Sequence, residues 1–304
     1  MNAHRRTHVL LRPGVALSFL LVAVIWGSTW FVIKDQLAAA NPSWSIAWRF
    51  VIAGLAMAAL AWWKQGSLRM SGHGHRIALG VGISQFVCNF NFFYRAELHL
   101  TSGIVAVLFA MLMLPNAVLG RIVLGSEITG RFLLGTAIAL GGIALLLAHE
   151  STAMPPDASI TLGLLFVVGG IMSASVANVM QATPAAQATP MLVMLAWAMA
   201  WGALGNSLLA YALSGPPVLP GGIRYWGGVS YLAIIGSVVT FPLYFKLIRD
   251  LGPGRAAYNG VLVPVVAMAI STMFEGFRWS GLAIAGAMLA MVGLVVALRG
   301  RVEE

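Results

Sequence analysis

LFAMLMLPNAVLGRIVLGSE, Leu108 to Glu127, is an apolar run with a proline, Pro115, in its interior and a glutamate at its end. The chain returns to this design in VLVPVVAMAISTMFEG, Val261 to Gly276, with Pro264 and Glu275. The proline-to-glutamate spacing is 12 residues in the first block and 11 in the second. Proline inside a helix removes one backbone hydrogen bond and kinks the rod. Two kinked apolar helices in matching positions point to one device used twice.

Hydrophobic residues make up 60% of the 304 residues and charged residues only 9%, against about 25% charged in an average soluble domain. Uncharged runs recur along the whole length, each sufficient to cross roughly 30 Å of hydrocarbon. The sequence is that of a polytopic membrane protein. Its net charge of +9 is therefore a topology signal and no argument for nucleic acid. The single cysteine, Cys88, lies within an apolar run, so no disulfide framework is expected. The uncharged run from Pro13 to Ile33 is too long for a usual signal-peptide core and is expected to stay as a first span.

Spans are predicted at 14–33, 44–63, 77–94, 100–120, 132–149, 160–181, 190–213, 225–245, 256–274 and 279–298. With the N-terminus in the cytoplasm, the inner segments hold thirteen Lys and Arg residues. The outer segments hold four: Lys34, Arg95, Arg224 and Arg278. That bias puts both termini inside.

The doubling extends well beyond the two proline blocks. Pro42 and Pro190 each open a span, and Tyr94 and Tyr244 each end one. Gly135 and Gly142 match Gly286 and Gly293 at the same spacing of seven. The offset stays between 148 and 151 residues, so the chain reads as two tandem halves, 1–150 and 151–304. Five spans per half force the second half to insert upside down. The expected fold is an all-α integral membrane protein of ten transmembrane helices in two inverted five-helix repeats.

WGSTWFVIK in the first span, the proline-opened second span with Arg49, and the doubled proline–glutamate blocks resemble the EamA-type branch of the drug/metabolite transporter superfamily. Within it the chain most resembles the YddG-type exporters, associated with aromatic amino acids. The resemblance implies a ten-helix inner-membrane carrier for amino acids or other small metabolites. The second block departs from the pattern at EGFRWSG, with three more residues before its glycine pair.

No HExxH, GxSxG or Walker loop is present, nor any cluster of His, Cys, Asp and Glu at ligand spacing. An enzyme is therefore not expected, and neither a metal nor another cofactor is. The expected partners are a small-molecule substrate and the lipid bilayer. All nine acidic residues fall in turns or tails by the span assignment. A membrane carboxylate, the usual means of trading proton for substrate, is absent by that assignment. Facilitated exchange, or proton coupling without a buried acid, is the expected mechanism. Glu127 and Glu275 read as caps of the helices that follow them.

Arg49 is the one formal charge well inside a span, where it is costly. Either its side chain snorkels to the nearby membrane edge, or it anchors a carboxylate or the bundle. Polar residues in the apolar runs supply the substrate-cavity candidates. They are Trp26, Ser28, Thr29 and Trp30 in the first span and Gln85, Asn89, Asn91 and Tyr94 in the third. Asn178 and Gln181 follow in the sixth, then Tyr244, Tyr258 and Asn259 in the eighth and ninth. For any one of these, a helix-to-helix hydrogen bond is the competing role. Pro115 and Pro264 are the candidate hinges. The expected activity is export of neutral or aromatic amino acids, or similar small metabolites, by alternating access. A drug or other metabolite efflux carrier and a pore-like channel stand as alternatives.

Overall fold

A computed structural model of the chain describes residues 13–150, 159–256 and 259–299, and every regular element among them is helical. Among the described residues seven helices are long and apolar enough to cross a membrane, and three shorter apolar helices accompany them. In chain order they are α1 (Pro13–Ala39), α2 (Pro42–Gln65), α3 (Gly72–Ala96), α4 (Ser102–Leu124), α5 (Gly130–Glu150), α6 (Ile160–Ala182), α7 (Met191–Ser214), α8 (Ile223–Asp250), α9 (Asn259–Phe274) and α10 (Gly281–Arg299). Tyr258 and the N-terminal arginines lie outside the described residues. α1 runs past its expected end at residue 33, so Lys34, Asp35 and Gln36 belong to its last turns.

The helix starts follow local chemistry. Asn41 accepts the Ser43 backbone N–H at 2.8 Å with Pro42 in the first position of α2, an arrangement that satisfies a free donor where proline needs none. α5 is capped by Thr129, which accepts the Phe132 N–H at 3.2 Å, and α10 by Ser280, which accepts that of Ala283 at 3.1 Å. The expected glutamate caps are therefore not formed. A hydroxyl two to five residues further on reaches the free N–H first.

Close packing joins the last helix of each half. α5 and α10 cross at Gly135, Gly142, Gly286 and Gly293, the four glycines of the repeated spacing. A Cβ on Gly142 would sit 2.3 Å from the Ala290 nitrogen, and one on Gly293 would sit 2.2 Å from that of Ala139. Only glycine allows this backbone-on-backbone approach, which gives lipid-embedded helices their van der Waals contact. α2 pairs with α7, α1 lies between α8 and α9, and α6 lies against α3 and α4.

Two helices change pitch at mid-length. α3 is π-helical over Gly82–Asn89, and α8 over Ile234–Val239. In α8 the Ser237 and Thr240 hydroxyls bond the carbonyls five residues back, at 2.9 and 2.6 Å. Such wide turns swing side chains out of helical register and recur at functional sites. α4 instead tightens into a 3₁₀ turn at Ala110–Leu112, just ahead of Pro115.

The apolar core forms two clusters. One is centred on α4, α5, α9 and α10, the other on α2, α3, α7 and α8. Trp26 of α1 packs against both. Leucines and valines such as Leu55, Leu134, Leu165, Leu208 and Val292 stay exposed around the outside, as lipid-facing surface requires.

Candidate functional site

Where α1, α2, α3, α4 and α8 meet, a cavity of about 50 Å³ is lined by Trp26, Thr29, Trp30, Ile33, Arg49, Gln85, Asn89, Phe90, Phe93, Phe109 and Phe241. Arg49 is 1% exposed, so its side chain does not snorkel to the membrane edge. Its guanidinium donates to Ser237 Oγ from Nε at 3.3 Å and from Nη2 at 3.2 Å, and to the Tyr94 hydroxyl at 3.5 Å. It also lies over the Phe90 ring at 4.4 Å and the Phe50 ring at 5.6 Å, a cation–π arrangement. Among the described residues no carboxylate pairs with it. Five donors thus meet one serine and one tyrosine at long range, and the positive charge is left without a counter-ion.

Aromatic rings make up most of the remaining wall. Trp26 packs on Phe241 at 5.5 Å and on Tyr244 at 4.7 Å, while Trp30 packs on Phe93 at 5.3 Å and on Phe109 at 5.5 Å. These tilted and edge-on contacts are the favoured geometry for ring pairs. On α3, Gln85 donates to Asn89 Oδ1 at 3.2 Å and Asn89 to the Gly170 carbonyl at 2.9 Å. The π-helical turn of α3 carries both amides, and that of α8 carries Ser237.

A second, smaller cavity of about 20 Å³ lies on the other side of Trp26 and Phe109, which border both. Asn116, Tyr244, Asn259 and Gly260 are in its wall. Asn259 donates to the Phe19 carbonyl at 2.9 Å; its Oδ1 and both amide atoms of Asn116 are buried without a hydrogen-bond partner. Each cavity has room for a few waters or one, and neither holds an amino acid as it stands. Trp26 and Phe109 are thus the shared wall of the two chambers.

Of the candidate residues, the structure brings Trp26, Thr29, Trp30, Gln85, Asn89 and Arg49 to the larger cavity and Tyr244 and Asn259 to the smaller one. Tyr94 stands behind Arg49, with Gln36 Oε1 3.3 Å from its hydroxyl. Asn178 lies beside the Tyr244 hydroxyl. Three candidates sit elsewhere. Ser28 ties α1 to α8 through Tyr231 at 2.6 Å, and Asn91 ties α3 to α7 through Asn206 at 2.7 Å. Gln181 accepts from Arg249 at 3.1 Å. These follow the competing role, since a polar group in hydrocarbon finds the nearest helix before it finds a cavity. Pro115 borders an apolar groove of about 580 Å³ between α4, α5 and α6, away from both chambers.

Sequence reading missed Phe90, Phe93, Phe109, Phe241, Ser237 and Asn116. The run of Phe86, Phe90 and Phe93 at helical spacing was the available signal. It also missed that a turn can be sealed: Glu97, in the turn after α3, is fully buried. Burial raises its carboxyl well above the ordinary range, with Lys34 opposing and Glu275 adding to the rise.

The EamA-like transporter family matches this chain twice, over residues 14–148 and 161–299. Among curated relatives, the uncharacterized transporter YyaM of Bacillus subtilis is 27% identical over 93% of each chain. A probable amino-acid metabolite efflux pump of Escherichia coli is 22% identical over 92% of this chain and 93% of its own. The uncharacterized inner membrane transporter YedA of Escherichia coli is 26% identical over 83% of this chain and 80% of its own. A solved crystal structure shares the fold at a TM-score of 0.71 and 19% identity, covering 95% of this chain and 98% of that one. This multi-pass membrane transporter belongs to the EamA-like transporter family.

Proposed function

We propose that the chain is an inner-membrane carrier that exports neutral or aromatic amino acids, or similar small carboxylates, by alternating access, with both termini in the cytoplasm. The observation that carries this reading is Arg49, a buried cation with no acidic partner among the described residues, in an aromatic-walled cavity. A substrate carboxylate would supply the missing counter-ion. The Gln85 carbonyl and the faces of Trp26, Trp30 and Phe90 suit an ammonium group and an apolar or aromatic side chain. The amino-acid efflux named for one Escherichia coli relative agrees with this chemistry, and the likeness to YddG-type exporters points the same way.

An inverted repeat of five helices per half is part of the proposal. It is supported by the contacts, which exchange between halves. α2 pairs with α7 and α5 with α10, while α1 meets α8 and α9 as α6 meets α3 and α4. Two similar halves around Trp26 provide two arrangements of comparable energy, each opening one chamber. The Arg49 cavity contains no carboxyl, so substrate binding there requires no proton, in keeping with facilitated movement.

The test is uptake of a panel of radiolabelled amino acids by purified protein in liposomes, with and without a pH gradient. Saturable counterflow is expected for a subset of the panel. Arg49→Gln should lower it about tenfold to a hundredfold, the cost of a lost charged hydrogen bond, with Arg49→Lys intermediate because it loses the planar fork. Unchanged flux in Arg49→Gln, or ionic currents far above carrier turnover, would overturn the reading.

A further inference from the structure

Outside the aromatic cavity, three formal charges converge at the end of the bundle where α1 and α9 finish and α4 begins. Glu97 is fully buried, and neither of its carboxyl oxygens has a hydrogen-bond partner. Lys34 of α1 donates to the backbone carbonyl of Glu97 and to that of Leu100 at 3.2 Å, leaving the carboxyl aside. Glu275, just after α9, accepts the Ser102 and Ser271 hydroxyls at 2.6 Å each on Oε2, while its Oε1 is buried and unpartnered. The charges that reach Glu97 are those of Lys34 from α1 and Glu275 from the end of α9, and Tyr94 of α3 interacts with it from its own helix. Arg95 turns away to Asn91 and Ser43, and Asp35 is paired with Arg224. α4 contributes the neutral Ser102.

We propose that this cluster is a proton-binding site, and that one proton on Glu97 is required for this end of the transporter to close. The inference rests on the carrier reading above, since a carrier must open and close that end in every cycle. With all three groups ionised, the sealed cluster holds one negative charge in excess; a single proton makes it neutral. Glu275 Oε2 already accepts two hydroxyls at 2.6 Å each. Glu97 receives no such bond and takes the proton. Opening admits water, the carboxyl returns to an ordinary pKa of about 4.3, and the proton leaves to the solution on that side. Between that value and the raised value of the sealed state, the closed form holds one more proton than the open form. Closure is therefore complete below the ordinary carboxylate range and is lost as pH rises through the raised value, by about tenfold per pH unit.

The test reads the gate without a substrate. In a Cys88→Ser background, cysteine is placed at Ile104, 1% exposed in the first turn of α4. Its maleimide labelling rate in detergent is divided by that of Leu98→Cys, a reference site 48% exposed, which cancels the pH dependence of the thiol. The ratio should rise with pH, by up to about tenfold per unit. Glu97→Gln, which imitates the protonated carboxyl, should hold the ratio low and flat. Glu275→Gln should do the same, because its cluster is neutral without a proton; it carries the test should Glu97→Gln not fold. A flat profile with Glu97 intact, or an unchanged profile in either variant, would overturn the proposal. An amino-acid panel that shows no transport defeats the carrier reading and leaves the labelling result intact. Active transport beside a flat profile defeats the proton site alone.

Discussion

In the first proline–glutamate block, α4 tightens to a 3₁₀ turn before Pro115, and Glu127 ends up exposed with no side-chain hydrogen bond among the described residues. In the second, α9 runs as an unbroken helix through Pro264, and Glu275 is held by Ser102 of α4 and Ser271 of its own last turn. The blocks share their text and differ in their contacts. The glutamate that follows the proline by 11 residues is a tie, and the one that follows by 12 is an exposed side chain. The tied end is the one where Lys34, Glu97 and Glu275 converge.

The comparison requires that the helices following the blocks move little, because α5 and α10 hold the halves to each other. Their crossing is the most sensitive point to break. Gly142→Val should lower stability by more than ~3 kcal/mol, the upper part of the overpacking range, because the contacted atoms are backbone and cannot turn aside. Gly141→Ala is the control: its Cβ would meet only Leu289 Cδ2 at 3.8 Å, and a change within about 0.5 kcal/mol is expected. Thermal unfolding of both variants in detergent measures the difference. Equal losses would mean that the crossing tolerates a side chain and that α5 and α10 are free to slide.

That crossing was legible in the sequence as a spacing, since a pair of glycines seven residues apart recurs in each half. The apolar runs likewise placed the helices, because in a bilayer hydropathy reports the spanning segments themselves. The site was legible only in part. Polarity in an apolar run finds Arg49, Gln85 and Asn89, but it equally finds Ser28 and Asn91, which tie neighbouring helices. The π-helical turns that aim Gln85, Asn89 and Ser237 inward leave no mark in composition. Glu97 was hidden by the rule that a residue in a turn is solvated. Lys34 and Leu100 close over this turn, and no one-dimensional pattern reports such a contact.

The two glutamates give a smaller effect and a sharper contrast. Glu275→Ala removes the acceptor for two buried hydroxyls and should lower stability by about 2 kcal/mol, within the range for unsatisfied buried donors. Glu127→Ala removes an exposed side chain with no hydrogen bond among the described residues and should stay within about 0.5 kcal/mol of the parent. Thermal unfolding in detergent provides the comparison. A large loss in Glu127→Ala would show that the end carrying Glu127 is tied as well, and the asymmetry between the blocks would disappear.

The prolines should change stability least and motion most. Proline leaves the carbonyl four residues earlier without its helical donor. For Pro115 that carbonyl belongs to Met111, beside the apolar groove; for Pro264 it belongs to Gly260, in the wall of the smaller polar chamber. Alanine restores the hydrogen bond, so stability should stay within about 1 kcal/mol of the parent in both variants, or rise. Transport should slow in both, because a continuous helix bends less readily. The slowing should be about tenfold for Pro264→Ala, an added barrier of ~1.4 kcal/mol, since that variant also withdraws an acceptor from the smaller chamber. About threefold is expected for Pro115→Ala, where only the bend is lost, corresponding to an added ~0.65 kcal/mol. Counterflow rates and unfolding temperatures measured on the same preparations separate the two effects. If activity and folded yield fall together in either variant, that proline holds the helix in shape and is no hinge.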